Sequence, residues 1–383
     1  MKILHIVTGL SVGGAEAMLA RLVERLRDEF TQEVIALGGA GPIGDRIAAL
    51  GVPVGTMDLS SRAPNPLALA KLAGAVRRFA PDVVQTWMYH ADLLGGLAAR
   101  LAGVRAVAWN IRNGDVSHSE TPWRTRAVMR GCALLSRRVP SCIVSCSHRA
   151  VALHVARGYD RRRFVVIPNG FDLDRFRPDE SARRSVRQEL GIPQDAPIIG
   201  LVARADPQKN HPLFVAAAGE LHQRRPDVHF LLIGRGVNRE NAALLRRVGQ
   251  TGIRRVTRML GERHDVPRLT AALDISTVCA GRGEAFPNVL GEAMACGVPC
   301  VATDVGDAAL IVGDGGRVVP PNDAAAVARA WDELLSLSAG QRRALGQRAR
   351  GRIRERFELN AIARRYAQLY RELAPGEHRP CAA

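Results

Sequence analysis

"DISTVCAGRGEAFPNVLGEAMACGVPCVATD", residues 274–304, decides the fold. Asp274–Val278 reads as an apolar strand, Cys279–Phe286 as a loop, and Pro287 suits the first turn of a helix. Cys300–Ala302 then starts a second apolar strand. Strand, loop, helix and strand in this order form the unit from which parallel sheets are built. The loop falls at the carboxyl end of its strand, where such sheets bind their ligands. Glu284 sits in that loop and Glu292 on the helix. The helix start offers N–H groups of Asn288, Val289 and Leu290 and the positive end of its dipole, which suits an anion. An ionised carboxylate accepts two hydroxyl hydrogen bonds from a vicinal diol. Carboxylates beside an anion site therefore fit a ligand with sugar hydroxyls next to a diphosphate.

The same alternation extends over the chain. Ile3–Val7, Glu33–Leu37, Val83–Gln85, Ala106–Ala108, Cys142–Ser145 and Phe164–Ile167 read as strands, separated by amphipathic segments such as Ala15–Phe30, Pro66–Phe79 and Ala91–Ala102. "IPNGFDLDRFRPD", 167–179, interrupts the pattern with Pro168, Asn169-Gly170 and Pro178, as a linker does. A second series starts at Ile198–Val202 and continues through Phe230–Ile233 to the opening stretch. The expected architecture is α/β, with two Rossmann-like, doubly wound domains facing each other across a cleft. Residues 1–175 make the first and 176–356 the second, and a last helix, 357–375, packs back on the first. A chain of 383 residues has ample core for both.

Composition narrows the function classes. The chain is 47% hydrophobic and 24% charged, which is globular, and its net charge is +17. Between Arg100 and Arg163 there are thirteen arginines against Asp115, Glu120 and Asp160, so the basic character concentrates there. Such a patch suits anionic lipid headgroups, phosphate-bearing substrates or a solvated arginine-rich surface. "TPWRTRAVMRGCALLSRRV", 121–139, reads as a helix with Val128, Cys132 and Leu135 on one face and Arg126, Arg130 and Arg137 on another. That fits either core packing with a solvated back or peripheral contact with an anionic membrane. No aromatic-interleaved platform points to nucleic acid. Seven scattered cysteines make no disulfide framework and read as small buried hydrophobes in a reducing cytosol. "MKILHIVTGLSVGGAEAMLA" imitates a signal peptide, but His5 and Gly13-Gly14 favour a strand, glycine loop and helix. No apolar run reaches the length of a membrane span.

Two more loops carry candidate chemistry. "VARADPQKNHP", 202–212, follows the first strand of the second series, with Arg204 and Lys209 in the loop, Asn210 as a helix cap and Pro212 just inside the helix. Two cations there suit a leaving diphosphate, and preorganised charge of this kind supplies about 3–4 kcal/mol per donor. "GLSVGGAE", 9–16, lets the backbone approach a ligand at Gly13 and Gly14 but lacks the dinucleotide-binding spacing. Asp172-Leu173-Asp174 imitates a metal-binding D-x-D pattern, yet lies in the linker and reads as a structural turn.

Together these segments resemble a known family. "GEAFPNVLGEAMACGVPCVATDVG" is similar to the E-x7-E signature of the retaining, family-four glycosyltransferases with the GT-B fold. "ARADPQKN", "IPNGFDLDRF", "LGERHDVPRLTAALDI" and "VGDGGRVVPPND" resemble its other segments in the same order. The resemblance implies that Arg204 and Lys209 bind the donor diphosphate, that Glu284 contacts the transferred sugar and that Glu292 contacts the ribose. It places Phe286, Pro287, Asn288 and Val289 along the donor, Glu262 and Arg263 near the base, and Gly13 and Gly14 near the donor phosphate or acceptor. It implies no cofactor and no metal. Many members carry a His in V-x-x-H near the sugar; "DVVQTWMYHAD" has Trp87 there and His90 three residues on. His90 and Arg112, from "NIRNGD" at 110–115, are the acceptor-side candidates.

The expected activity is transfer of a hexose or N-acetylhexosamine, with retention, from a UDP- or GDP-sugar to a hydroxyl of a glycan or lipid-linked acceptor. Surface polysaccharide, lipopolysaccharide or glycolipid synthesis on the cytoplasmic side of the plasma membrane is the expected setting. A non-catalytic glycan-assembly subunit and a nucleotide-sugar epimerase or hydrolase are the rivals. The first predicts erosion at Arg204, Lys209, Glu284 or Glu292, and all four are intact. The second needs an acid and base set that the first domain does not show.

Overall fold

The computed structural model describes residues 1–58, 66–114 and 121–374. It divides into two compact units, Met1–Gly170 with the chain from Leu359 onward, and Phe171–Glu358.

The first unit alternates strands β1 (Lys2–Val7), β2 (Thr31–Ala36), β3 (Val54–Thr56), β4 (Val83–Trp87), β5 (Val107–Ile111), β6 (Cys142–Ser145) and β7 (Phe164–Val166) with helices. These are α1 (Gly14–Leu26), α2 (Gly41–Ala48), α3 (Pro66–Phe79), α4 (Tyr89–Leu101), α5 (Trp123–Leu135) and α6 (His148–Val155). The strands form one parallel sheet in the order β3-β2-β1-β4-β5-β6-β7. The direction of winding therefore switches between β1 and β4. Central strands covered on both faces read as continuous apolar runs, and β1, β4, β5 and β6 are buried almost throughout.

The second unit runs α7 (Glu180–Leu190), β8 (Ile198–Val202), α8 (His211–His222), β9 (His229–Ile233), α9 (Ala242–Gln250), β10 (Thr257–Met259) and α10 (Val266–Ala271). It continues through β11 (Ile275–Val278), α11 (Asn288–Ala295), β12 (Cys300–Thr303), α12 (Ala308–Val312), β13 (Gly316–Val319), α13 (Ala324–Ser336) and α14 (Ala339–Arg356). Its parallel sheet has the order β10-β9-β8-β11-β12-β13, so the winding switches between β8 and β11. Local signals set the helix starts: Asp179 caps α7, Asn210 caps α8, and Ser338 with Gln341 forms a capping box on α14.

The last helix, α15 (Leu359–Leu373), belongs to the first unit. Leu359, Ile362, Tyr366 and Tyr370 join Ile3, Val7, Val34 and Val83 in one apolar cluster. A second cluster on the other face of that sheet gathers Leu4, Ile6 and Val84 with residues of α3, α4 and α5. The second unit buries Phe214, Phe230 and Trp331 around β8 and β9. Strands β3, β10 and β13 are absent from the sequence reading, and all three are edge strands of three or four residues. A short edge strand lacks the apolar run that marks a central one.

Helix α5 buries Met129, Cys132 and Ala133, while Val128 is half-buried, Trp123 is 68% exposed and Leu134 is 81% exposed. The expected Val128, Cys132 and Leu135 all pack on the core cluster of this sheet face, Cys132 buried and the other two half-buried, and Met129 and Ala133 join them. The six described cysteines are buried and unlinked, and burial pushes the Cys296 thiol up to about 12. Among the described residues no helix is long and apolar enough to cross a membrane.

Candidate active site

Two loops meet at the switch point of the second unit. The loop after β8 turns through a short helical segment, Pro207–Lys209, and ends at Asn210, whose φ of 51° lets its side chain cap α8. Arg204 pairs with Asp206 through Nη2 at 2.9 Å and Nε at 3.0 Å. Burial works to raise the Asp206 carboxyl, but the Gln208 N–H and the Arg204 guanidinium outweigh it and hold it below the usual range. Lys209 Nζ forms an ion pair with Glu284 Oε1 of the loop after β11. The two loops also touch through their backbones, the Gly281 N–H donating to the Gln208 carbonyl at 3.3 Å.

A third loop braces Glu284 from behind. Gly306 has φ 56°, and a Cβ there would lie 2.2 Å from the Glu284 carbonyl oxygen. The next N–H along the chain, that of Asp307, donates to the Ala285 carbonyl at 2.9 Å. Glu284 thus stands on a fixed backbone with its side chain 15% exposed, beside a Lys209 that is 25% exposed. Cation, carboxylate and helix start are all held beyond the adjacent carboxyl ends of β8 and β11.

The structure places the other expected donor residues unevenly. Pro287 precedes α11, Asn288 and Val289 open it, and Glu292 lies within it, half-buried. The Leu290 N–H is not an open donor, because it bonds to the Pro287 carbonyl at 3.2 Å. The Phe286 ring is 5% exposed, stacked on Phe171 and edge-on to Phe357, so it is a core side chain. Arg263 gives Nε and Nη2 to Asp265 at 2.8 Å each and Nη1 to Glu189 at 3.0 Å. Those hydrogen bonds raise its pKa above the usual arginine range. Its guanidinium is committed to this network, which removes it from the set expected near a base. Glu262 beside it is exposed.

In the first unit the loops after β1 and β4 flank the switch point. Gly13 and Gly14 open α1, and a Cβ on Gly13 would lie 2.2 Å from Glu16 Oε2, so the glycine leaves room for that carboxylate. Met88 precedes α4 at φ 73° and ψ 159°, a conformation nearly reserved for glycine. Its N–H donates to the Asn110 carbonyl at 3.0 Å and its carbonyl accepts the Asp92 N–H at 2.8 Å. His90, in the first turn of α4, is half-buried, and burial lowers its pKa, which keeps it neutral at pH 7.

Trp87 is fully buried and donates Nε1–H to His5 Nδ1 at 3.3 Å, which leaves His5 Nε2–H to donate to Gln32 Oε1 at 3.1 Å. It is therefore part of the core and offers no polar group to a ligand. Arg112 also departs from expectation. Its Nη1 donates to Asn110 and to Tyr366 Oη at 3.2 and 3.0 Å, its Nη2 bonds to Asn169 Oδ1, and its Cζ lies 5.3 Å from the Trp87 ring centre. Arg112 braces β5 against α15 and the 167–170 segment, and this inward commitment removes it as an open acceptor contact. Asp115, at the end of the same stretch, lies outside the described residues.

Asp172 accepts the N–H groups of Asp174 and Arg175 at 3.0 and 3.1 Å, so the D-x-D imitation is a hydrogen-bonded turn. The residues missed in the sequence are Asp206, Gln208 and Gly306. Asp206 sits two residues after Arg204, a spacing that signals a local ion pair; the other two act only through contacts across loops.

Residues 12–175 match the family described as Glycosyltransferase Family 4, and residues 182–352 match Glycosyl transferases group 1. A D-inositol 3-phosphate glycosyltransferase of Corynebacterium urealyticum is 27% identical, over 97% of this chain and 95% of the relative. Anabaena HepE, crystallised with UDP, superposes with a TM-score of 0.85 at 23% identity, covering 96% of this chain and 99% of that one. WaaG, a glycosyltransferase involved in lipopolysaccharide biosynthesis, gives 0.71 at 17% identity, covering 98% and 100%. With both halves of the chain matched in order and the GT-B fold in place, this protein belongs to the family-four, group 1 glycosyltransferases.

Proposed function

We propose that the protein transfers a hexose or N-acetylhexosamine from a UDP-sugar to a hydroxyl acceptor, with retention and without a metal. The observation that carries this reading is the Lys209–Glu284 ion pair at the β8/β11 switch point, next to Arg204. The pair keeps a cation and a carboxylate aimed at one place. A diphosphate draws Lys209 and Arg204, and Glu284 turns to a sugar hydroxyl; Glu292 serves the ribose diol, and the backbone N–H groups of Asn288 and Val289 serve the phosphate. UDP in place of GDP is favoured by the solved HepE complexes with UDP and with UDP-glucose.

In the reaction the bond from the anomeric carbon to the diphosphate breaks, and the acceptor oxygen bonds to that carbon on the same face. The departing phosphate oxygen takes the acceptor proton. Arg204 and Lys209 stabilise the charge that develops, a preorganised electrostatic role. Neutral His90 and the Gly13-Gly14 backbone serve the acceptor side. The acceptor is a glycan or lipid-linked polyol at the cytoplasmic face of a membrane, reached through the exposed Trp123 and the arginines of α5.

Saturation-transfer NMR against UDP-, GDP- and ADP-sugars in the presence of a chelator tests the donor. Selective binding of a UDP-sugar is expected, and Lys209→Ala lowers kcat by about 10²–10³ with the fold intact by circular dichroism. Unchanged turnover in Lys209→Ala, or binding that needs a divalent ion, sinks the proposal.

A further inference from the structure

The groups assigned so far lie at the carboxyl ends of strands. The amino edge of the first unit's sheet, where β4, β5 and β6 begin, carries an open cavity of about 830 Å³ lined by Arg77, Asp82, Arg100, Arg105 and Ser141. That size is within the range of about 300–1,000 Å³ typical of small-ligand sites. Arg163 reaches the same place by donating Nη1 to the Ser141 carbonyl at 3.2 Å.

Three of these guanidinium groups are fixed by backbone oxygens. Arg77 Nη2 donates to the Leu101 carbonyl at 2.8 Å, Arg100 Nε to the Val139 carbonyl at 2.8 Å and Arg163 Nη2 to the Arg137 carbonyl at 3.1 Å. Among the described residues none of Arg77, Arg100, Arg105 and Arg163 forms an ion pair with a carboxylate. Asp82, the carboxylate in the lining, accepts the backbone N–H of Lys2 at 2.7 Å, and Lys2 Nζ adds a further cation as it donates to the Phe79 carbonyl. Burial lowers the pKa of Arg100, and Arg163 and Arg105 lower it further by like-charge repulsion.

A fold that positions several arginines by their carbonyl contacts, and leaves their charge uncompensated, holds preformed forks for an anion. Planar guanidinium groups bind phosphoryl oxygens in pairs. We propose that this cavity is a second, non-catalytic site that binds an anion with two phosphoryl charges, as a free metabolite or as a lipid headgroup. It lies at the opposite edge of the sheet from Gly13 and His90, so its occupant does not enter the transfer reaction. It does not rest on the donor proposed above.

Pyrophosphate is the probe, titrated calorimetrically into the full chain carrying Arg204→Ala and Lys209→Ala, so that the donor loop cannot hold it. One equivalent binds, and adding Arg100→Gln weakens it about tenfold or more. Arg105→Gln is the second variant: its side chain is exposed and bonds to nothing described, so folding is preserved and several-fold weakening is expected. Vesicles of cardiolipin in phosphatidylcholine that displace the probe identify a headgroup as the source, and vesicles that leave it bound identify a free anion. Absence of pyrophosphate binding in the donor-loop background, or affinity unchanged from that background in both arginine variants, overturns the proposal.

Discussion

Asp92 lies fully buried in the first turns of α4, two residues after His90, near Cys132 and Tyr159. Its Oδ1 accepts from Thr86 Oγ1 at 2.5 Å and from the Asn110 N–H at 3.2 Å, while Oδ2 has no partner among the described residues. Burial raises its pKa to about 7 against the pull of both hydrogen bonds. The folded value exceeds the unfolded value of about 3.9, so its contribution to stability is complete below pH ~4 and is lost as pH rises to about 7. His5 and His154, both lowered to about 4 by burial, act in the opposite sense and cost stability as pH falls below about 6.5. Asp92→Asn mimics the protonated acid. Urea unfolding should show the variant gaining on the wild type as pH rises from 5 to 7, by up to about 1.4 kcal/mol per pH unit. A gap that is constant with pH would mean that Asp92 does not titrate in this window. The sequence pointed to His90 but not to Asp92, because a helix carboxylate reads as solvated until packing buries it.

At the scale of elements, the donor site depends on how three loops interlock. Gly306→Ala combines a positive φ with a Cβ at 2.2 Å from the Glu284 carbonyl. It should destabilise the protein by more than about 1 kcal/mol and lower kcat, because the backbone that carries Glu284 must shift. Gly351→Ala, within α14 and with nothing near its new Cβ, should instead stabilise by about 0.5–1 kcal/mol. Melting temperatures and turnover of the two variants separate the effects; equal behaviour would remove the bracing role of Gly306. The central strands, the glycine loop and the turn at 167–179 were legible because each has a local signature. Edge strands β3, β10 and β13 were not, since pairing with one neighbour is all that makes them strands.

At the scale of the whole molecule, the chain leaves the first unit after Gly170 and comes back to it at Leu359. Helix α15 then supplies buried Leu359, Ile362, Tyr366 and Tyr370 to the β1 side of the core. A chain ending at Glu358 should therefore expose that cluster and lose hydrogen-exchange protection throughout the first unit, while β8, β9 and β11 stay protected. Retained protection in β1 and β4 would show that the unit does not need its last helix. The sequence by itself determined the α/β alternation, the two series of strands and the residues at the critical strand ends. Apolar runs, Gly, Pro and Asn act over a few residues, so these features can be read locally. Only the tertiary structure decided the strand order, the inward turn of Arg112 and Arg263, and the pairing of Lys209 with Glu284 across 75 positions. Each of these depends on which distant surfaces bury one another, and no local pattern encodes that.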